Sequence, residues 1–220
     1  MRFFKQNRKV NLKYIFGELL LLFVGINLAI WFNDWNSAKK TNEDKKVAIS
    51  KITEEIENNK LELDIVLENS HQVLNAFKEF KNIYDGDTSV VIANPKQFEL
   101  LRNRYPGFFT IKDSTALDDG LYRYRGSTKI VLEVATLTEI AWKTTTTLNV
   151  MNEFNYECLY ELESIYNRQR RVQIEINKSA DALQNRDFEK LRMILDFLNQ
   201  IGGQLQDDYD SIKKNIINCN

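Results

Sequence analysis

Few side chains in this sequence have the types and the spacing that catalysis requires. His71 is the single histidine, which disfavours histidine-rich zinc sites and histidine-based triads, so we interpret it as an ordinary polar residue beside a helix stripe. Carboxylates cluster at Glu54, Glu55 and Glu57 and at Asp118 and Asp119. Neighbours on a helix do not face each other, and such runs usually form a solvated surface. We therefore expect no enzyme, no catalytic residue, no cofactor and no metal.

Cys158 and Cys219 are the two thiols. If the last two helices fold back near residue 185, Cys158 lies opposite about residue 213, and Cys219 lies roughly six residues too far along. A disulfide between them then requires the tail to bend back, as a frayed terminus allows, and an oxidising compartment. The bonded pair and two free thiols both stay open at this stage.

Two further polar clusters have simple structural interpretations. The four threonines at 144–147 could line a polar binding strip, but such a run is more typical of a helix end whose side chains bond the backbone. Arg168, Arg170 and Arg171 could bind an acidic partner, but they also suit an ordinary helix surface.

The element that must position everything else is the apolar segment at residues 14–35. Its first nineteen residues, as a helix rising ~1.5 Å per residue, cover ~28 Å, which matches the ~30 Å of bilayer hydrocarbon. A second segment of this kind is not present. We predict one uncleaved transmembrane helix. A cleaved signal peptide is the alternative, but the run is long for one and no A-x-A-like site follows it.

Two interpretations of the side chains within this span remain. At 100° per residue, Glu18, Gly25 and Ala29 fall on one face, and the small-xxx-small spacing of Gly25 and Ala29 allows another membrane helix to approach closely. This predicts a transmembrane contact face. In the simpler interpretation, Glu18 lies at the headgroup edge, Gly25 is incidental, and Trp31 and Trp35 are interfacial aromatics.

Charge predicts the orientation only weakly. Five basic residues precede the span and four follow it closely, which favours an N-terminus in the cytoplasm. The chain has 30 basic and 31 acidic residues. The five basic residues and Glu18 at the N-terminus leave a net charge of −5 for the remainder, which argues against nucleic acid as a partner.

The span also carries a resemblance to a known family. Its landmarks are a Gly-Glu start, a Gly-Ile centre followed by alanine, and an Asn-Asp-Trp-Asn exit, at residues 17–18, 25–26, 29 and 33–36. They resemble an uncharacterised family of small single-span bacterial membrane proteins. Asn27 and Trp31 depart from the usual aliphatic and polar amide. The resemblance implies a single-span topology and a helical soluble domain, and it implies no catalysis.

After the span, apolar residues recur every three or four positions, which predicts long helices. One continues from the membrane to about Tyr84, a short one begins at Asn94 and Pro95, and two long helices pair antiparallel across a hinge at 185–187. We therefore predict an all-α fold, in which the transmembrane helix runs into a long helix and an antiparallel helical bundle. Residues 120–133 suit either a small hairpin or a helix that starts near Lys129.

These elements define the predicted organisation of the chain. A basic cytoplasmic stub occupies 1–13, the transmembrane helix 14–35, a helical stalk 36–60 and a helical domain outside the cytoplasm 61–217. The expected partners are the lipid bilayer and a protein, which could be a second copy bound through the span or the helical domain. The predicted function is a binding, scaffold or sensing protein of the bacterial inner membrane with a periplasmic domain. The alternative is an enzyme or lipid-handling domain with a cleft between helices.

Overall fold

The first helix carries both an apolar segment that is long enough to cross a membrane and residues of the domain core. The computed structural model describes residues 12–219, so the predicted basic stub lies outside the described residues except for 12 and 13. Helix α1 runs from Leu12 to Lys81, and its 70 residues correspond to ~105 Å at the standard helical rise. Its lower part is apolar and exposed, because the rest of the chain packs on its upper part.

The domain is not purely helical, so the predicted all-α fold is wrong. A three-stranded antiparallel sheet has the order β1–β3–β2, with β1 at Val90–Ala93, β2 at Phe109–Ala116 and β3 at Tyr122–Thr128. Helix α2, Pro95–Arg104, connects β1 to β2 and covers the sheet. Its Phe98 ring stacks on Tyr124 of β3 at a centroid distance of 4.0 Å.

Three helices form the bundle beneath this sheet. Helix α4 spans Tyr156–Gln184 and helix α5 spans Phe188–Asn215. Helix α5 runs antiparallel to α1, since Lys60 pairs with Asp210 and Leu67 contacts Gly202. Helix α4 runs parallel to α1. The bundle buries mainly aliphatic and aromatic side chains, including Ile52, Leu63, Phe80, Leu162, Ile176, Leu191 and Leu205.

Residues 129–139, which we call the strap, take the place that a fourth helix would have. The strap has no regular secondary structure, so the alternative of a helix from about Lys129 is wrong, and Tyr122–Thr128 is a strand that pairs with β2. It starts beside the sheet, where the Lys129 N–H donates to the Phe108 carbonyl at 2.8 Å. It then descends between α1 and α4 and leads into helix α3, Ile140–Thr147.

Several predicted helix ends are confirmed, because their signals are local. The side chains of Asn94 and Asp187 accept hydrogen bonds from the N–H groups of Gln97 and Lys190, and so cap α2 and α5. Short 3-10 turns occupy Asp118–Gly120, Asn149–Glu153 and Ile216–Cys219. Burial along α1 begins at Lys45 and Ala48, inside the segment that was predicted to be a solvated stalk.

Candidate functional site

A buried carboxylate on α1 organises the end of the domain that is nearer to the apolar segment of this helix. Glu55 is 8% exposed, and its two oxygens accept four hydrogen bonds. Oε1 accepts from the Tyr166 hydroxyl at 2.7 Å and from the Trp142 N–H at 3.3 Å. Oε2 accepts from the Ala141 N–H at 2.9 Å and from the Thr138 hydroxyl at 3.3 Å. The acceptor positions of Glu55 are therefore occupied from within the chain.

Glu55 acts as the N-terminal cap of helix α3. The residue at the cap position, Glu139, makes no capping bond of its own, so the first N–H groups of α3 need another acceptor. A carboxylate is the favoured one, because the N-terminus of a helix carries partial positive charge. The cap thus comes from α1, which fixes α3 against the bundle.

Trp142 completes this arrangement. Its ring lies parallel to that of Tyr166, with a centroid distance of 5.4 Å and an interplanar angle of 7°. Its indole N–H donates to Glu163 at 3.1 Å. The side chain is buried, so the stack closes the space between α3 and α4.

The strap is held by side-chain amides rather than by a neighbouring strand. Asn59 accepts from the Thr138 N–H at 2.8 Å and donates to the Thr138 carbonyl at 2.7 Å. Gln173 bonds the Leu137 N–H at 2.8 Å and the Ala135 carbonyl at 3.1 Å. An amide presents the same donor and acceptor as a peptide group, and buried backbone groups must be paired. Asn59 and Gln173 therefore make the backbone hydrogen bonds that a neighbouring β-strand would otherwise make with the strap.

A second amide links this pairing to α5. Gln169 donates to the Thr138 carbonyl at 2.8 Å, and its oxygen accepts from Asn59 at 3.1 Å and from the Tyr209 hydroxyl at 2.8 Å. Further up, Asn69 accepts from the Glu133 N–H at 2.9 Å. The polar network thus connects α1, the strap, α4 and α5.

Two tyrosines of this network have raised pKa values. Burial, followed by the hydrogen bond to Glu55, raises the pKa of Tyr166. Burial, followed by the charge of Glu55, raises the pKa of Tyr209. Both phenols therefore stay protonated at neutral pH and serve as hydrogen-bond donors. They are not bases.

Glu139 carries a surface ion network next to this core. It accepts from Arg170 at 2.7 Å and from Lys143 at 2.8 Å. Burial would raise its pKa, but the hydrogen bonds from Lys143 and Arg170 outweigh burial, so the pKa of Glu139 is lowered. Arg170 also bonds Glu163 at 3.0 Å. Two of the three clustered arginines, Arg168 and Arg170, are thus engaged within the chain, Arg168 with Asp208 at 2.6 Å.

An open groove of about 690 Å³ lies between α1 and α3, on the side of this core that is nearer to the apolar segment. Its apolar lining includes Val47, Ile140 and Leu148, which are exposed by 60%, 70% and 51%. Its rim is charged and includes Lys40, Asp44, Lys51 and Glu54. No group of His, Cys, Asp or Glu in residues 12–219 has the arrangement of a metal site. The groove suits packing of an apolar or amphipathic surface, with charges at its edge.

The other carboxylates and the histidine considered from the sequence do not join Glu55 in the core. Glu54 and Glu57 pair with Lys51 and Lys213 on the surface, whereas Glu55 turns into the core. Asp118 and Asp119 form an exposed 3-10 turn, far along the chain from this site. His71 is exposed on α1.

The threonine run behaves as the simpler interpretation predicted. Thr145, Thr146 and Thr147 each donate a side-chain hydrogen bond to a carbonyl three or four residues earlier, at 2.8 to 2.9 Å. Thr144 and Thr145 line the groove. The run therefore ends α3 by bonding its backbone, which confirms that prediction.

The transmembrane candidates remain uncovered by the rest of the chain. Trp31 and Trp35 are exposed, and no atom of the described residues lies within 4 Å of a Cβ built on Gly25. Glu18 and Ala29 are exposed as well.

Cys158 and Cys219 are joined by a disulfide, with their Cα atoms 5.5 Å apart. The offset expected from the antiparallel helices is removed because α5 ends at Asn215 and the 3-10 turn Ile216–Cys219 brings the tail back towards α4. The bond fixes the 3-10 turn Ile216–Cys219 to the first turn of α4, and this 3-10 turn also contacts α1.

Sequence reasoning did not assign the residues that organise this site. Glu55 was grouped with its exposed neighbours, although its position next to the buried Ile56 marks the edge of the core stripe. Asn59 and Gln169 lie at buried positions on the apolar stripes of α1 and α4. A polar residue at a core position is itself a signal, because it must find a buried partner.

Comparison of the chain with protein-family models, with curated proteins and with solved structures finds no match.

Proposed function

We propose that this protein is a single-span protein of a bacterial inner membrane, with its N-terminus in the cytoplasm and a periplasmic domain that serves as a binding or scaffold module. The observation that carries the proposal is the continuity of α1. One helix passes without a break from an apolar exposed segment, with a mean hydropathy of 2.1 in its most apolar window and none of that window buried, into the core of the domain.

The exposed segment needs an apolar environment. Between residues 15 and 32 it presents large side chains, among them Phe16, Leu21, Phe23 and Trp31, that nothing in the chain covers. Each would otherwise hold apolar surface against water at about 25 cal/mol per Å². A bilayer removes that cost, and the segment has the length of a span.

Two observations support a domain outside the cytoplasm. The Cys158–Cys219 disulfide is of the kind that persists in oxidising compartments such as the periplasm. The slight excess of basic residues before the span favours the same orientation.

A binding role agrees with the chemistry of the groove. Its floor residue Glu55 has its acceptor positions filled, so the groove offers apolar contacts and a charged rim rather than a free acid or base. The enzyme alternative needs an acid or base in the cleft with a free acceptor position, which Glu55 does not offer, and the other charges of the lining are exposed on the rim.

Cysteine labelling tests the proposal. Met193 is exposed on α5, and Asn7 precedes the span. In intact spheroplasts, a membrane-impermeant maleimide should label Met193→Cys, and it should label Asn7→Cys only after lysis. The reverse pattern would contradict the orientation. Release of the chain from membranes by alkaline carbonate would contradict anchoring itself.

A further inference from the structure

One face of α1 stays uncovered where the helix leaves the membrane and enters the domain. At 100° per residue, Val47, Leu61 and Ile65 lie within about 40° of one another. Their side chains are exposed by 60%, 63% and 53%. The bundle, the strap and α3 pack against one side of the helix, and this stripe lies on its exposed side, where aliphatic surface faces water.

The same face continues into the span. Gly25 and Ala29 project onto the angular position of Val47 and Ile65, because α1 is unbroken from Leu12 to Lys81. No described atom covers Gly25. Small residues let two helix backbones approach closely within a bilayer. One straight face of α1 therefore carries the small residues Gly25 and Ala29 in the proposed span and the aliphatic stripe above it.

We propose that two copies of this chain pack parallel to each other along this face of α1, from Gly25 to Ile65. The proposal rests on the membrane anchoring proposed above. The bilayer holds every copy in the same direction and at the same height, so a two-fold axis along α1 brings each aliphatic residue opposite its own counterpart. An isologous contact of this kind is the commonest arrangement of soluble homo-oligomers.

The charges that flank the stripe are complementary in this arrangement. Asp44 and Lys46 lie on opposite flanks of the face and differ by only ~3 Å along the axis. Lys46 of each copy therefore meets Asp44 of the other. Lys40 and Glu43, which lie about two turns and one turn below Val47, pair across the axis in the same way. None of these four residues forms an ion pair within residues 12–219.

The one other charge at the centre of the stripe is already compensated. Glu54 lies between Val47 and Leu61 on this face, and Lys51 binds it at 2.8 Å. The pair is carried on α1 itself, so a second copy meets a neutral pair rather than a bare carboxylate.

The area is sufficient for a stable contact. From Gly25 to Ile65 the face is ~60 Å long and about one helix wide, ~10 Å, which gives on the order of 600 Å² per chain. The groove adds Ile140 and Leu148 on the α3 side. The total approaches the ~800 Å² per partner of a standard protein interface.

Disulfide crosslinking of full-length chains in their own membranes tests the proposal. The native cysteines are bonded to each other, so a single introduced cysteine reports on the contact between copies. We expect Val47→Cys and Leu61→Cys to give dimers at several-fold higher yield than two exposed controls. The controls are Asn42→Cys, on another side of α1, and Met193→Cys, on α5.

A charge exchange makes the test specific. Lys46→Asp in the Val47→Cys chain should lower the dimer yield several-fold, because it places two acids together. Adding Asp44→Lys should restore the yield. Residues two apart on one helix do not face each other, so the rescue cannot arise within a chain.

Several crosslinking results would contradict a parallel dimer of α1. Equal yields at all four positions, no dimer at any of them, or a crosslinked product with the mass of a different protein would overturn the proposal. The same holds if Asp44→Lys fails to rescue. Alkaline extraction of the same membranes distinguishes this from a failure of anchoring, because a chain that is anchored but monomeric stays in the pellet.

Discussion

The Tyr166 hydroxyl on α4 donates a 2.7 Å hydrogen bond to the Glu55 carboxylate on α1. The two residues are 111 positions apart, and the same carboxylate caps α3. One acidic side chain on α1 therefore holds two other elements of the domain.

Removal of the Tyr166 hydroxyl should destabilise the domain. Tyr166→Phe keeps the ring stacked on Trp142 but takes a donor from a buried carboxylate, so we expect a loss of about 1–3 kcal/mol in the free energy of unfolding. Denaturant titration of the detergent-solubilised chain measures it. Tyr160→Phe is the control, because Tyr160 is exposed. Equal stability of the two variants would show that the bond contributes nothing.

Loss of a strap amide should release the strap locally. Asn59→Leu leaves the N–H of Thr138 without its partner and removes one donor from its carbonyl. Hydrogen exchange of a peptide covering 129–139 should accelerate relative to the wild type. Asn58→Leu provides the matched control, since Asn58 is exposed. Unchanged exchange in Asn59→Leu would mean that the amide pairing does not hold the strap.

The adjacent glycines of α5 should respond to alanine with opposite signs. A Cβ on Gly202 would lie 2.5 Å from the Cδ2 atom of the buried Leu67, whereas a Cβ on Gly203 meets nothing within 4 Å. We expect Gly203→Ala to raise the free energy of unfolding by about 1 kcal/mol through helix propensity. Gly202→Ala should lower it by about 1–3 kcal/mol through overpacking. A stabilising Gly202→Ala would refute the close approach of α1 and α5.

Acid should weaken the attachment of α3 through Glu139. Its pKa in the folded state is lowered below the ordinary value of 4.5, so its contribution to stability is present above that value and is lost as the pH falls through the folded pKa. Glu139→Gln should therefore reduce the pH dependence of unfolding on the acid side. Glu153→Gln is the control. The mechanism fails if the two variants have the same acid profile.

The disulfide should stabilise the C-terminal helix pair. It closes a loop with a sequence separation of 61 residues, for which the loss on replacing both cysteines by serine is about 2–4 kcal/mol. Unfolding with and without reductant measures the same quantity in the unmodified chain. If reductant changed neither the stability nor the mobility on a gel, the bond would not be present in solution.

Local signals predicted much of the fold. The exposed apolar part of α1 follows from an apolar run, and the starts of α2 and α5 follow from Asn94, Pro95 and Asp187. The α4–α5 pair follows from apolar periodicity and a short hinge, because α4 and α5 bury their stripes against each other and α1.

The sheet and the strap could not be predicted in this way. Strand β1 consists of four apolar residues, so its alternating burial leaves no alternation in the sequence, and β2 has one buried side chain followed by exposed or half-buried ones. The strap is apolar enough for a helix, but Asn59 and Gln173, far away in the chain, supply the bonds that hold it extended. Such pairing depends on tertiary position and leaves no local pattern.

We expect α1 to be one rigid helix from the proposed span to the core of the domain. Spin labels on cysteines at Asn33 and Glu62, both exposed on α1, test it by pulsed electron resonance in liposomes, with excess unlabelled chain to suppress signals between copies. An unbroken helix predicts a narrow distribution near ~44 Å between the labelled backbone positions. A broad distance distribution, or one centred at a clearly shorter distance, would reveal a hinge between the proposed span and the domain and would contradict a rigid α1.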